Sequence, residues 1–355
     1  MNSNFDLAAL ALRGAYPNND ILYDDQGMPS FMVRVPKATY AELGLGESTD
    51  IFPAFIVNGV EKNEIFVSKY QNCVINNRAY SLGGVDQRSN VTFDQAVTYC
   101  QNKGAGWHVM TTLEWAAVML WCEKNGFIPK GNNNWGKHGS EDIYSAIPAD
   151  FESGKRRRIK TGTGPATWYH DNTRGGIADL CGNVWEWVGG VRTVYGELQI
   201  LVNNNAADVS KSQGASSGEW KAINAATGAL VTPDGSGTTE GSVKMDWISN
   251  KLTYSTTITD ASRGQHSCTF ANIVFGESIG EAAQLLIQAL GFAPKASTVL
   301  CASHYCYFDN NQAERLFYRG GHYNGAAHGL ASFVGNFARS YSNVLIGFRS
   351  AFVEL

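Results

Sequence analysis

The stretch Gly182-Asn183-Val184-Trp185-Glu186-Trp187, preceded by Gly176-Ile177-Ala178-Asp179-Leu180, decides how this chain is read. Two indoles flank one carboxylate. Such a segment packs its tryptophans inward, and the carboxylate then needs donors or a cation, because an unpaired buried charge is costly. Cations stand far downstream, in Arg319-Gly320-Gly321 and Gly347-Phe348-Arg349. These arginines are the natural partners of Glu186, and together with the tryptophans they form the expected frame.

Upstream of this stretch two helices are punctuated clearly. Thr92-Phe93-Asp94-Gln95 and Thr111-Thr112-Leu113-Glu114 both have capping-box spacing. The first helix should run to Lys103 before Gly104, the second to Lys124-Asn125 before Gly126. Leu113, Ala116, Ala117, Leu120 and Trp121 give the second an apolar face. Ser30–Val35, Phe55–Val60 and Glu64–Tyr70 read as strands. Residues 1–50 read as a separate leader, an oligomerisation or attachment segment. Residues 51–355 read as one domain, with an insertion of moderate order at about 190–300. A third helix is expected over Glu281–Leu290, stopped by Gly291.

Composition narrows the function. The chain has 355 residues, 44% hydrophobic and 17% charged, with 17 Phe, 15 Tyr and 9 Trp, which describes a folded, loop-rich protein. A net charge of −4 gives no support for nucleic-acid binding, and Lys155-Arg156-Arg157-Arg158 reads as a solvated loop. No segment approaches the apolar length of a membrane helix, and the first residues lack the pattern of a signal peptide. Seven scattered cysteines fit a reducing compartment during synthesis better than a disulfide scaffold.

Catalytic motifs are weak. Gly162-Thr163-Gly164-Pro165 lacks the Lys-Ser/Thr of a phosphate loop, and no His-Glu-x-x-His or Gly-x-Ser-x-Gly occurs. Cys301, His304 and Cys306 lie close in sequence but lack the ligand pairs of a zinc site and the spacing of a redox motif.

The set GNVWEW, RGG and GFR resembles the formylglycine-generating-enzyme (sulfatase-modifying factor) type of C-type-lectin-like fold. Val91–Cys100 and Gly106–Ala117 resemble that family's helix pair, and Phe66–Tyr70 resembles its opening strand. The resemblance spans about 55–190 and 300–355. It implies an α+β fold, with two helices against small antiparallel sheets and much loop. The enzymes carry a catalytic cysteine pair between their RGG-like and GFR-like motifs. Here no cysteine occurs from Tyr307 to Leu355. The expectation is therefore a protein with no catalytic residues and no cofactor.

The segment His322–Leu345 reads HYNGAAHGLASFVGNFARSYSNVL and contains no Lys, Glu, Gln, Trp or Met. Its residue types are those reached when the adenines of an Asn codon are randomised. Bounded by RGG and by Ile346–Phe352, it resembles the variable region of a diversity-generating-retroelement target protein. Residues 17–37, 53–59 and 68–72 also resemble phage structural proteins. These resemblances imply a hypervariable receptor-binding protein at a phage tail or fibre tip, made in the host cytoplasm, or otherwise displayed at a cell surface. The expected ligand-binding residues are His322, Tyr323, Asn324, His328, Phe333, Val334, Phe337, Tyr341, Val344 and Leu345. Arg339 and Ser340 read as framework. The expected partner is a host surface protein or glycan, engaged by a homo-oligomer such as a trimer. No nucleic acid, membrane insertion or catalytic metal is expected; loop carbonyls leave room for a structural calcium. Two alternatives stand beside this reading: an oxidase of the same fold with chemistry relocated to Cys301, His304 and Cys306, and a carbohydrate-binding lectin of fixed specificity.

Overall fold

Strands from both ends of the chain close one sheet. The computed structural model describes residues 7–260, 264–296 and 299–355. The first sheet has the order Asn19–Tyr23, Pro29–Pro36, Glu64–Ser68, Ser350–Phe352, Trp107–Val109, antiparallel throughout. The C-terminal strand lies between two early ones, with Ala351 facing Val67 on one side and His108 on the other. Residues 19–36 supply two strands of this sheet, so this part of the expected leader is not set apart from the fold.

The described residues hold four α-helices: α1 (Leu7–Ala15), α2 (Phe93–Gln101), α3 (Thr112–Lys124) and α4 (Glu281–Ala289). Both capping boxes form. Thr92 accepts from the Gln95 backbone N–H and Thr111 from that of Glu114, and in each case the acid or amide side chain answers back. Helix α3 is buried on nearly every side from Thr112 to Leu120, as befits a helix in the middle of a core. The expected apolar face was therefore only part of what it buries.

The fold is α+β as expected, and beside its small antiparallel sheets stands a second, larger one. It has twelve strands, running through Gln265–Thr269, Tyr305–Asp309, Phe333–Phe337, Arg315–Arg319, Trp185–Val194, Glu197–Ile200, Lys244–Ile248, Lys251–Ser255 and Ile273–Phe275. Three of its pairings are parallel, including Trp185–Trp187 against Ile346–Phe348. The stretch 190–300 thus builds sheet and helix rather than loose decoration. One apolar cluster surrounds α3 and α4. A second lies under α2 and contains Phe93, Trp185, Trp187, Tyr318, Val334 and Phe348.

Candidate ligand-binding face

The frame is fixed by one buried ion pair. The Arg349 guanidinium donates to both Glu186 carboxylate oxygens at 2.9 Å, to the Ser68 carbonyl at 2.7 Å and to the Ala178 carbonyl at 2.9 Å. Both side chains are shielded from water. Arg319 sits opposite Glu186 in strand register but does not pair with it. Its guanidinium turns to the Leu290 and Gly291 carbonyls and stacks over Phe292, and burial pushes its pKa down to about 10. Trp187 donates its indole N–H to the Val91 carbonyl at 3.0 Å.

Gln71 completes the frame. Its amide nitrogen faces the Asp179, Gly182 and Val184 carbonyls and Glu186 Oε1, at 3.0–3.4 Å. Such an oxygen set suits a hard cation. With the amide at its centre, these residues as arranged do not hold an ion as well. Among the described residues, no group of three or more His, Cys, Asp and Glu could hold a metal.

On this frame lies a continuous aromatic layer. Tyr307 stacks on Tyr305, with centroids 6.1 Å apart, and Tyr305 reaches His328 at 5.4 Å. His328 contacts His322 at 4.7 Å and Trp185 at 4.6 Å. Trp185 meets Tyr318 edge-on, Tyr318 stacks with Phe337, and Phe337 lies flat on Tyr341 at 3.4 Å. Tyr318 donates to the Asn336 side chain, and Asn343 donates to the Tyr341 hydroxyl. Glycine makes the bend around His328 fit. A Cβ on Gly325 would fall 1.9 Å from the His328 ring, and one on Gly321, at φ +100°, 2.2 Å from its Cβ.

The imidazoles in this layer are neutral. Burial pushes His322 and His328 down to about 4 and about 3, with the neighbouring imidazoles adding to the second shift. Nδ1 of His322 accepts the Asn324 N–H, and Nδ1 of His328 accepts the His322 N–H. That acceptance fixes the proton on Nε2 in each ring, which is then a donor.

The structure brings together His322, His328, Phe337, Tyr341 and Leu345, all half-buried, with Asn324 and Val344 exposed beside them. Tyr323 and Val334 are buried at the margin, Tyr323 against Trp135 and Val334 in the cluster beneath. Phe333 is a correction. It is wholly buried, packed against Phe292 and Phe317 on the opposite side of the sheet, and offers nothing to a ligand. Arg339 is framework, paired with Glu314 and Asp94, whereas Ser340 is exposed. The sequence reading missed Tyr305, Tyr307, Tyr318, Trp135, Asn336 and Asn343. The alternation Tyr305-Cys306-Tyr307 was a usable signal, since residues two apart share a strand face. The thiols drew the reading away from it. Those thiols are wholly buried, and burial pushes both well above the ordinary cysteine value, so neither is an activated nucleophile.

Residues 62–231 match the Sulfatase-modifying factor enzyme 1-like domain. The chain is also similar to the solved structure of PvdO from Pseudomonas aeruginosa, at 11% identity over 94% of this chain and 98% of that one, with a TM-score of 0.38. The P3c and U1 variants of Major Tropism Determinant match at 9% and 11% identity over 95% of this chain and 72% of theirs, each with a TM-score of 0.31. No curated protein matches the sequence. The sulfatase-modifying-factor-like stretch contains Gln71, α2, α3 and Glu186. The face built from Tyr305 to Leu345 lies beyond it, on the same C-type-lectin-like α+β fold.

Proposed function

We propose that this protein binds a ligand through the face between His322 and Leu345, as the variable protein of a diversity-generating retroelement, and that a phage uses it to adsorb to a host surface protein or glycan. One observation carries the reading. The segment with restricted residue types is also the segment that supplies the outer layer of a continuous aromatic face. Tyrosine, histidine and asparagine there combine contact area with adaptable hydrogen bonds at low entropic cost. The buried, unactivated thiols of Cys301 and Cys306 favour a binder over a thiol oxidase. Homo-oligomerisation, as in a trimeric fibre tip, belongs to the same reading, because avidity multiplies a weak single site. The virion is then the place of action.

The test is deep sequencing of the 3′ end of the gene in a population that carries it, paired with adsorption assays. Substitutions should concentrate between His322 and Leu345 and spare Arg319–Gly321 and Ile346–Phe352. An invariant segment would overturn the retroelement reading.

A further inference from the structure

A basic and aromatic arm, Trp135–Arg158, borders the face. It is joined to it closely: the Trp135 ring lies 5.2 Å from Tyr323, the Trp135 N–H donates to the Tyr323 carbonyl at 2.6 Å, and Asn134 bridges Asn324. Four large apolar side chains on the arm stand in solvent, Ile143 at 72%, Tyr144 at 52%, Ile147 at 55% and Phe151 at 60% exposed. All four fall on one short stretch of the arm, and exposed apolar side chains gathered in this way mark interaction sites.

The cations of the arm divide into two groups. Arg157 is paired with Asp150 and Glu152, and Arg158 with Asp86 and Asp150. Lys137, Lys155 and Arg156 have no ion-pair partner among the described residues. They lie instead over rings: Arg156 over Tyr144 at 4.2 Å, Lys137 over Tyr144 at 5.7 Å and Lys155 over Trp135 at 5.1 Å. A guanidinium held over a ring is already partly ordered, and its N–H groups can still grip a carboxylate.

We propose that this arm is a second binding surface, for a polysaccharide bearing carboxylates. Sugar rings pack on Trp135, Tyr144 and Phe151, and their carboxylates meet Lys137, Lys155 and Arg156. The proposal rests on the reading of the adjoining face as a receptor surface. It adds a contact that lies outside the segment proposed to vary. Interspersed acids decide the ligand class. Asp142 adjoins Ile143 and Glu152 adjoins Phe151, all four exposed. Seating those apolar side chains in a bilayer would carry carboxylates into it, and the dense phosphates of a nucleic acid would meet them head-on. A polymer with one carboxylate per sugar or fewer leaves room for them.

The experiment measures binding of the full chain to immobilised polygalacturonate, to dextran and to phosphatidylglycerol vesicles, at low and high salt. Polygalacturonate should bind, dextran should not, and salt should weaken the complex. The variant Lys137→Gln/Lys155→Gln/Arg156→Gln should lose about tenfold in affinity, as three partly exposed charge pairs would give. Arg156→Gln alone should lose about twofold, which keeps the test intact if the triple variant misfolds. Undiminished binding by the variants, binding to vesicles instead of polymer, or no binding at all overturns the proposal. The face is tested separately, by Val344→Asp and adsorption to host cells. A wild type that ignores polygalacturonate sinks the arm and leaves the face standing. A normal adsorption by Val344→Asp counts against the face, whatever the polymer does.

Discussion

Acid should loosen the aromatic face. His304, His322 and His328 each accept a backbone N–H at Nδ1, from Ala331, Asn324 and His322 at 3.1, 3.1 and 3.3 Å. Burial pushes the three imidazoles down to about 4, about 4 and about 3. In the unfolded chain they titrate near 6.5. Between these values the unfolded state binds more protons than the folded one, so stability falls as pH falls. The contribution is whole above the unfolded value and is lost on the way down through the folded ones. At pH 5 a fully buried imidazole of this kind lowers stability by about 2 kcal/mol. All three rings are partly exposed, so solvent reduces the total to about 3–4 kcal/mol. Urea unfolding at pH 7.5 and pH 5.0 measures it. His328→Gln should lose about 1 kcal/mol less than the wild type over that interval. His170, pushed down to about 4, contributes equally to both proteins and drops out of the difference. Equal losses in variant and wild type would refute the argument.

Three further outcomes follow from the packing. Phe333→Ala should cost about 3–5 kcal/mol in urea unfolding, since the ring is buried between Phe292 and Phe317. Glu186→Gln should cost about 3–5 kcal/mol by the same measurement, because it strands the Arg349 charge in the core. Thr111→Ala should lower the stability by about 1–2 kcal/mol, since its hydroxyl accepts the Glu114 N–H and donates to Asn204.

What could be read in the sequence was local. Both capping boxes rest on hydrogen bonds within four residues, and both formed. That Glu186 needs a cation is also local chemistry, but the choice between two arginines is not. Arg319 stands directly across from Glu186 on the neighbouring strand, yet its side chain leaves toward α4. Arg349 follows a strand that runs parallel to Trp185–Trp187, and this pairing over more than 150 residues brings it to the carboxylate. The burial of Phe333 was hidden for a similar reason. Arg319 and Phe333 are register partners, and both side chains enter the cluster around α3 and α4, while Tyr318 and Val334 enter the other. Between Leu316 and Tyr318 the register shifts, and Phe337 comes to stack with Tyr318. A β-bulge re-aims side chains in this way, and neither its position nor its effect is written in a period of two.

This division of the sheet sharpens the expectation for a diversified gene. The frame draws its stability from the cluster around α3 and α4 and from the Glu186–Arg349 pair, on one side of the strand Phe333–Phe337. The half-buried members of the aromatic layer, His322, His328, Phe337 and Tyr341, lie on the other side, where exchanging side chains costs little. Variation should therefore be dense at His322, Asn324, Phe337, Tyr341 and Val344, sparse at Tyr323 and Val334, and nearly absent at Phe333, although all lie within one short segment. The sequence counts at these codons, compared in one population, measure it. Free exchange at Phe333 to small or polar residues would mean that the strand does not face the core as described, and the distinction between frame and face would fall with it.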